Sequence, residues 1–136
     1  MGKSKAGVVS IGIHKRYVLY LVGKCLICSH GMGGPSTSIL VHEVAKLLKY
    51  AKANAVWIRM GTCGGIGQEE GSLVVTRQAL NGKMEPFHEQ IILGERVQRE
   101  AKFDQETSAL LYEAARKSGA KCEIGNTACC YDFYEG

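Results

Sequence analysis

Apolar positions along the chain fall into short runs punctuated by glycine and into two stretches with helical spacing. Arg16-Tyr17-Val18-Leu19-Tyr20-Leu21-Val22 and Cys25-Leu26-Ile27-Cys28 flank Gly23-Lys24, which predicts a hairpin with a two-residue turn. Leu40, Val44, Leu47, Leu48 and Ala51 follow helical spacing, so a helix is expected from about Ser36 to Lys52. Lys46, Lys49 and Lys52 occupy its other, solvated faces. Ala55 to Met60 is a continuous β-favouring run and reads as a buried strand. Strand, helix and strand in so short a space predict a right-handed crossover and a parallel pair. Ser72 to Thr76 is a further strand, and Glu89 to Gly94 holds either a short strand or a loop within the weakly patterned residues 81 to 103. Asp104 caps a second helix, with Leu110, Leu111, Ala114 and Ala115 on its buried side and Gly119 at its end. Lys121 to Thr127 has strand length. Residues 1 to 13 are weakly patterned: a short strand from Gly7 to Ile13, or a loose arm. The alternation of strands and helices defines an α/β fold class.

Composition narrows the function classes. At 136 residues and 46% hydrophobic content, the chain is expected to be one compact domain. The net charge of +4 comes from lysines and arginines spread along the chain, which argues against nucleic-acid binding. No apolar run approaches the roughly 18 residues of a membrane span, so no membrane association is expected. The N-terminus lacks a signal-peptide core, and the expected location is cytoplasmic. Cys25 and Cys28 point to opposite faces of a strand and Cys129-Cys130 is too tight for an ordinary bridge, so the six cysteines read as reduced thiols and no metal site is expected.

Two glycine loops carry the candidate chemistry. Ser29-His30-Gly31-Met32-Gly33-Gly34-Pro35-Ser36 runs from a strand into a helix, where successive amides can form an anion-binding nest. The alternative is a turn that merely needs glycine dihedrals. His30 has no cysteine or acid near it in sequence and reads as a packed or solvated side chain. Arg59, at the end of the apolar run before Gly61-Thr62-Cys63-Gly64-Gly65-Ile66-Gly67, reads either as an anion-binding residue beyond a strand end or as a surface arginine. On the predicted topology both loops share one edge of the sheet.

Ser29-His30-Gly31-Met32-Gly33, Pro35-Ser36-x-Ser38-Ile39, His42-Glu43 and Arg59-Met60-Gly61-Thr62-Cys63-Gly64-Gly65-Ile66-Gly67 resemble the nucleoside phosphorylase family. Phe87-x-Glu89-Gln90, Leu93-Gly94 and Asp132-Phe133-Tyr134-Glu135-Gly136 are similar to the animal-type uridine phosphorylases within it. The resemblance spans residues 14 to 136. It implies part of an α/β/α sandwich around a mixed β-sheet, and phosphorolysis of a nucleoside to its base and ribose 1-phosphate. By motif, Arg59 and Thr62 would bind phosphate, Met32 would lie against the ribose, and Cys63, Gly64 and Phe133 would approach ribose and base. Arg16 resembles the arginine lent to a neighbouring subunit's phosphate, which implies a homodimer or larger oligomer with shared active sites. Cys63 departs from the serine or threonine usual in uridine phosphorylases and resembles the cysteine of hexameric purine nucleoside phosphorylases, keeping a purine substrate as an alternative.

On this resemblance phosphate is the nucleophile and a co-substrate, with no catalytic nucleophile from the protein and no further cofactor. The family's N-terminal phosphate loop has no match in residues 1 to 15, and its uracil-reading glutamine and arginine and its ribose-binding segment follow the last motif present. The expectation is a partial domain, weak or inactive alone, or else a short form that binds a full-length subunit.

Overall fold

The computed structural model describes residues 9–10 and 16–134. They form two compact units, divided between Gly61 and Thr62. Each unit carries its own elements.

In the first unit, β1 (Val9–Ser10), β2 (Leu19–Val22) and β3 (Cys25–Cys28) make an antiparallel sheet in that order. Val22 pairs with Cys25, so the turn is Gly23-Lys24 as expected, and Gly23 takes φ 59° to close it. Of residues 1 to 13, only β1 belongs to the described residues; it pairs Val9 with Leu21 and Ser10 with Tyr20. The rest of the expected Gly7–Ile13 strand, and Glu135-Gly136 of the terminal motif, lie outside them. α1 (Gly34–Tyr50) follows, with Leu40 and Val44 buried and the three lysines exposed. Leu47 and Ala51, expected on its buried face, are exposed.

Ala55 to Met60 departs most from expectation. Among the described residues it pairs with no strand, and Val56, Trp57, Ile58 and Met60 are all exposed. The predicted parallel pair with β3 and the shared sheet edge are not formed. A β-favouring run makes a strand only when a neighbour takes up its amides and carbonyls, and none of the described strands does so.

In the second unit, β4 (Leu73–Leu80) pairs in parallel with β7 (Cys122–Ala128), and a register shift between Thr76 and Gln78 marks a bulge at Arg77. The Thr76 and Thr127 hydroxyls lie 2.8 Å apart across this pair. Between these strands come the antiparallel hairpin of β5 (Phe87–Ile92) and β6 (Glu95–Glu100), and then α2 (Gln105–Lys117), which packs on β4 and β7. The β5–β6 turn is Leu93-Gly94, with φ of 49° and 86°. Two successive positive φ values define a type I′ turn, and leucine is a rare occupant of one, so the pattern concealed the hairpin. Asn81 is buried and builds the lead into β5, its Oδ1 accepting from the Lys83 and Glu85 amides at 2.9 and 3.0 Å.

Asp104 caps α2 as expected, accepting from the Thr107 amide at 2.7 Å, and Gly119 follows the helix at φ 83°. The inner side of α2 includes Leu111 and Ala115 as expected, with Tyr112, all half-buried, while Leu110 and Ala114 are exposed. The apolar residues buried in this unit are Val75 and Cys122.

Candidate functional site

The first glycine loop leaves β3 at Cys28. The Ser29 amide donates to Val18 O at 3.0 Å, holding the loop's start against the hairpin. Gly31 and Gly33 then take φ of 69° and 85°, values that bring the chain sharply into α1. A Cβ at Gly31 would stand 3.1 Å from Ser36 Oγ. That hydroxyl donates back to the His30 carbonyl, so the loop closes on the first turn of the helix. α1 itself starts without a side-chain cap and without an acid in its first turn, so that turn sets no negative charge of its own against the positive end of the helix dipole.

Arg59 comes to this loop. Its Nε donates to His30 Nε2 at 3.2 Å, and His30 Nδ1 lies 3.0 Å from Thr37 Oγ1. The guanidinium bends over the chain that follows it, so that a Cβ at Gly61 would meet Nη1 at 3.3 Å and Nη2 at 3.4 Å. Among the described residues Arg59 has no carboxylate partner, which leaves its charge uncompensated beside the glycine loop. Arginine presents planar, paired donors, the geometry suited to a phosphate or carboxylate.

The other residues singled out from sequence are placed as follows. Met32 lies in the same glycine loop and is 94% exposed. Arg16 precedes β2; it stands 3.8 Å from Glu43 of α1 and over the Tyr17 ring, both as exposed contacts. Thr62, Cys63 and Gly64 are contiguous and exposed at the start of the second unit. Phe133 stands near the end of that unit, 91% exposed, its ring edge-on to Tyr134 at 5.0 Å between centroids. Its segment continues β7: the Cys129 amide donates to Leu80 O at 2.9 Å, and Asp132 Oδ1 accepts from the Tyr134 amide at 2.9 Å. Tyr131 covers Gly82, where a Cβ would stand 2.9 Å from the ring.

Sequence reading missed the partners of His30. Among the described residues its ring has two, Thr37 and Arg59, and the second is 29 positions away. A contact at that separation leaves no local pattern; the one available signal was a polar ring inside a glycine loop. All six cysteines are free thiols, Cys122 buried and Cys63 exposed. Burial raises the thiol pKa of Cys28.

Residues 5–136 match the family described as the Phosphorylase superfamily. The chain is 46% identical over 126 residues to uridine phosphorylase 1 of Mus musculus, covering 89% of this chain and 40% of that protein. It is 42% identical over 127 residues to a Schistosoma mansoni protein named inactive uridine phosphorylase B, covering 91% of this chain and 43% of that one. Among solved structures, uridine phosphorylase from Schistosoma mansoni in complex with uracil matches at a TM-score of 0.87 and 42% identity, over 94% of this chain and 46% of that chain. The chain thus belongs to the phosphorylase superfamily, and its fold is part of the α/β fold of the nucleoside phosphorylases. The resemblance to uridine phosphorylases read from the motifs is borne out. The chain spans less than half the length of these relatives.

Proposed function

We propose that the chain is part of a uridine phosphorylase, which converts uridine and phosphate reversibly to uracil and ribose 1-phosphate. One observation carries the reading: 94% of the chain superposes on a uridine phosphorylase solved with uracil. A phosphate oxygen attacks the anomeric carbon, the carbon–nitrogen bond breaks, and the base leaves with the electron pair. The transition state resembles an oxocarbenium ion, so a fixed phosphate is both nucleophile and charge partner. Holding phosphate and sugar in line contributes up to roughly 7–11 kcal/mol in the best cases. No cofactor or metal enters this scheme.

Arg59 and Thr62 bind the phosphate in this proposal, with Arg16 serving a neighbouring subunit. Met32 contacts the ribose, and Cys63, Gly64 and Phe133 meet ribose and base. The uncompensated guanidinium of Arg59 beside the Gly31–Gly33 loop supports the phosphate role. Cys63 is a small thiol beside the sugar, since the reaction requires no covalent nucleophile. A second reading is a non-catalytic short form that joins a longer subunit; the unpaired apolar run at Ala55 to Met60 favours it.

The test is to incubate the purified chain with uridine or inosine, with and without inorganic phosphate, and to quantify released base and ribose 1-phosphate. Slow, phosphate-dependent release of uracil, reduced about a hundred- to a thousandfold by Arg59→Ala, is the expected result. Preference for inosine, or release that does not need phosphate, overturns it. No turnover, together with co-assembly with a full-length uridine phosphorylase, supports the second reading.

A further inference from the structure

The His30 ring stands between two groups of unequal freedom. On one side is Arg59 Nε, at 3.2 Å from His30 Nε2. A guanidinium Nε always carries its hydrogen and can only donate. On the other side is Thr37 Oγ1, at 3.0 Å from His30 Nδ1 and at 3.0 Å from the Gly33 carbonyl oxygen.

These contacts admit one consistent assignment of hydrogens. Because Arg59 donates, Nε2 must hold a lone pair. The ring hydrogen is then on Nδ1, and it is donated to Thr37 Oγ1. The single hydroxyl hydrogen of Thr37 goes to Gly33 O, the remaining acceptor within reach. The opposite tautomer would face two N–H groups across 3.2 Å, and an imidazolium would do the same.

We infer that His30 is a positioning residue for Arg59: its neutral ring, protonated on Nδ1, fixes the guanidinium through Nε2 and leaves both Nη groups free to pair with an oxyanion. This rests on the reading of Arg59 as a phosphate-binding residue. Three features of the structure support it. His30 is itself held, through its carbonyl by Ser36 Oγ and through its ring by Thr37, both in the first turn of α1. Among the described residues, neither Nη of Arg59 makes a hydrogen bond, whereas Nε does. The fork lies over Gly61, where the lack of a side chain leaves room for it. Arginine loses much rotamer freedom when it binds a ligand, and an arginine already held in place loses less. Thr37 acts at one further remove, by accepting the Nδ1 hydrogen that this tautomer carries.

The experiment uses nitrogen-15 NMR on the complete 136-residue chain, first without ligand and then with inorganic phosphate. Long-range proton–nitrogen spectra report the His30 tautomer. The Arg59 Nε–H resonance reports both its hydrogen bond and phosphate binding. The expected result is a protonated Nδ1 and an unprotonated Nε2 in the free chain. Thr37→Val shifts the ring toward a mixture of tautomers. His30→Leu weakens phosphate binding about tenfold, and His30→Gln, which keeps an acceptor near Nε2, restores most of it. A protonated Nε2 in the free wild-type chain overturns the inference, as does unchanged phosphate affinity in a folded His30→Leu variant. A wild-type chain whose phosphate binding is indifferent to Arg59→Ala overturns instead the phosphate role of Arg59. The tautomer measured without ligand still decides the His30–Arg59 contact in that case.

Discussion

Arg59 reads ambiguously in sequence, and in the structure it has specific neighbours, His30 and Gly61. A charge after an apolar run fits a ligand site or plain solvent equally well. The hydrogen bond of Arg59 to His30 and the fold of the guanidinium over Gly61 hold this exposed side chain at two places, and that restraint supports the proposed phosphate role. Gly61 is not at a positive φ, so its value lies in space rather than in backbone freedom. Gly61→Ala would push the guanidinium by a few tenths of an ångström. The expected outcome is phosphate binding about three- to tenfold weaker, with the circular dichroism spectrum unchanged. Titration of the Arg59 Nε–H resonance with inorganic phosphate measures it. The Arg59 motif was legible in the sequence; its contact with His30 was not, since nothing local joins positions 29 apart.

Among the elements, the best-predicted ones carry their own signals. The β2–β3 hairpin and both helices follow from turn, cap and spacing residues that act within a few positions. The β5–β6 hairpin was obscured because its turn uses a leucine at positive φ. Glu89 ties the hairpin's two strands and the lead into them together, since Lys83, Arg96 and Gln98 all contact it. The hydrogen bond from Lys83, with those from Arg96 and Gln98, holds the Glu89 carboxyl below its usual range against a partial desolvation. Thr107, through its hydroxyl and then its amide, does the same for Asp104 at the start of α2. Both carboxylates resist protonation in the folded chain. They therefore stabilise it above the ordinary carboxylate range, and that stabilisation is lost as pH falls through their lowered values. Lowering the pH from neutral toward about 3 is expected to weaken β5–β6 and the first turn of α2. Hydrogen exchange, corrected for its intrinsic pH dependence, checks this, and Glu89→Gln removes the hairpin's share of the effect.

At the scale of the whole molecule, the chain spans less than half of the relatives it matches, yet follows one of them at a TM-score of 0.87. No described helix is long and apolar enough to cross a membrane. Ala55 to Met60 combines β-favouring residues with exposure and unpaired backbone, the combination that drives edge-to-edge association. Sedimentation velocity on the purified chain is expected to show concentration-dependent self-association, and Ile58→Lys to reduce it without lowering the unfolding temperature. A chain that stays monomeric at high concentration contradicts this.

The α/β class, the caps and turns of the local elements, and the family are all legible in the order of residues, because each depends on residues close together or on motifs that keep their spacing. Tertiary structure decided whether an apolar run becomes a strand, which face of α2 is covered, and what His30 touches. A strand requires a partner for its hydrogen bonds, burial requires a surface to cover it, and a polar side chain acts on whatever lies within about 3 Å of it. Each of these is a property of neighbours in space, and for Ala55 to Met60 and for His30 those neighbours are not neighbours in sequence.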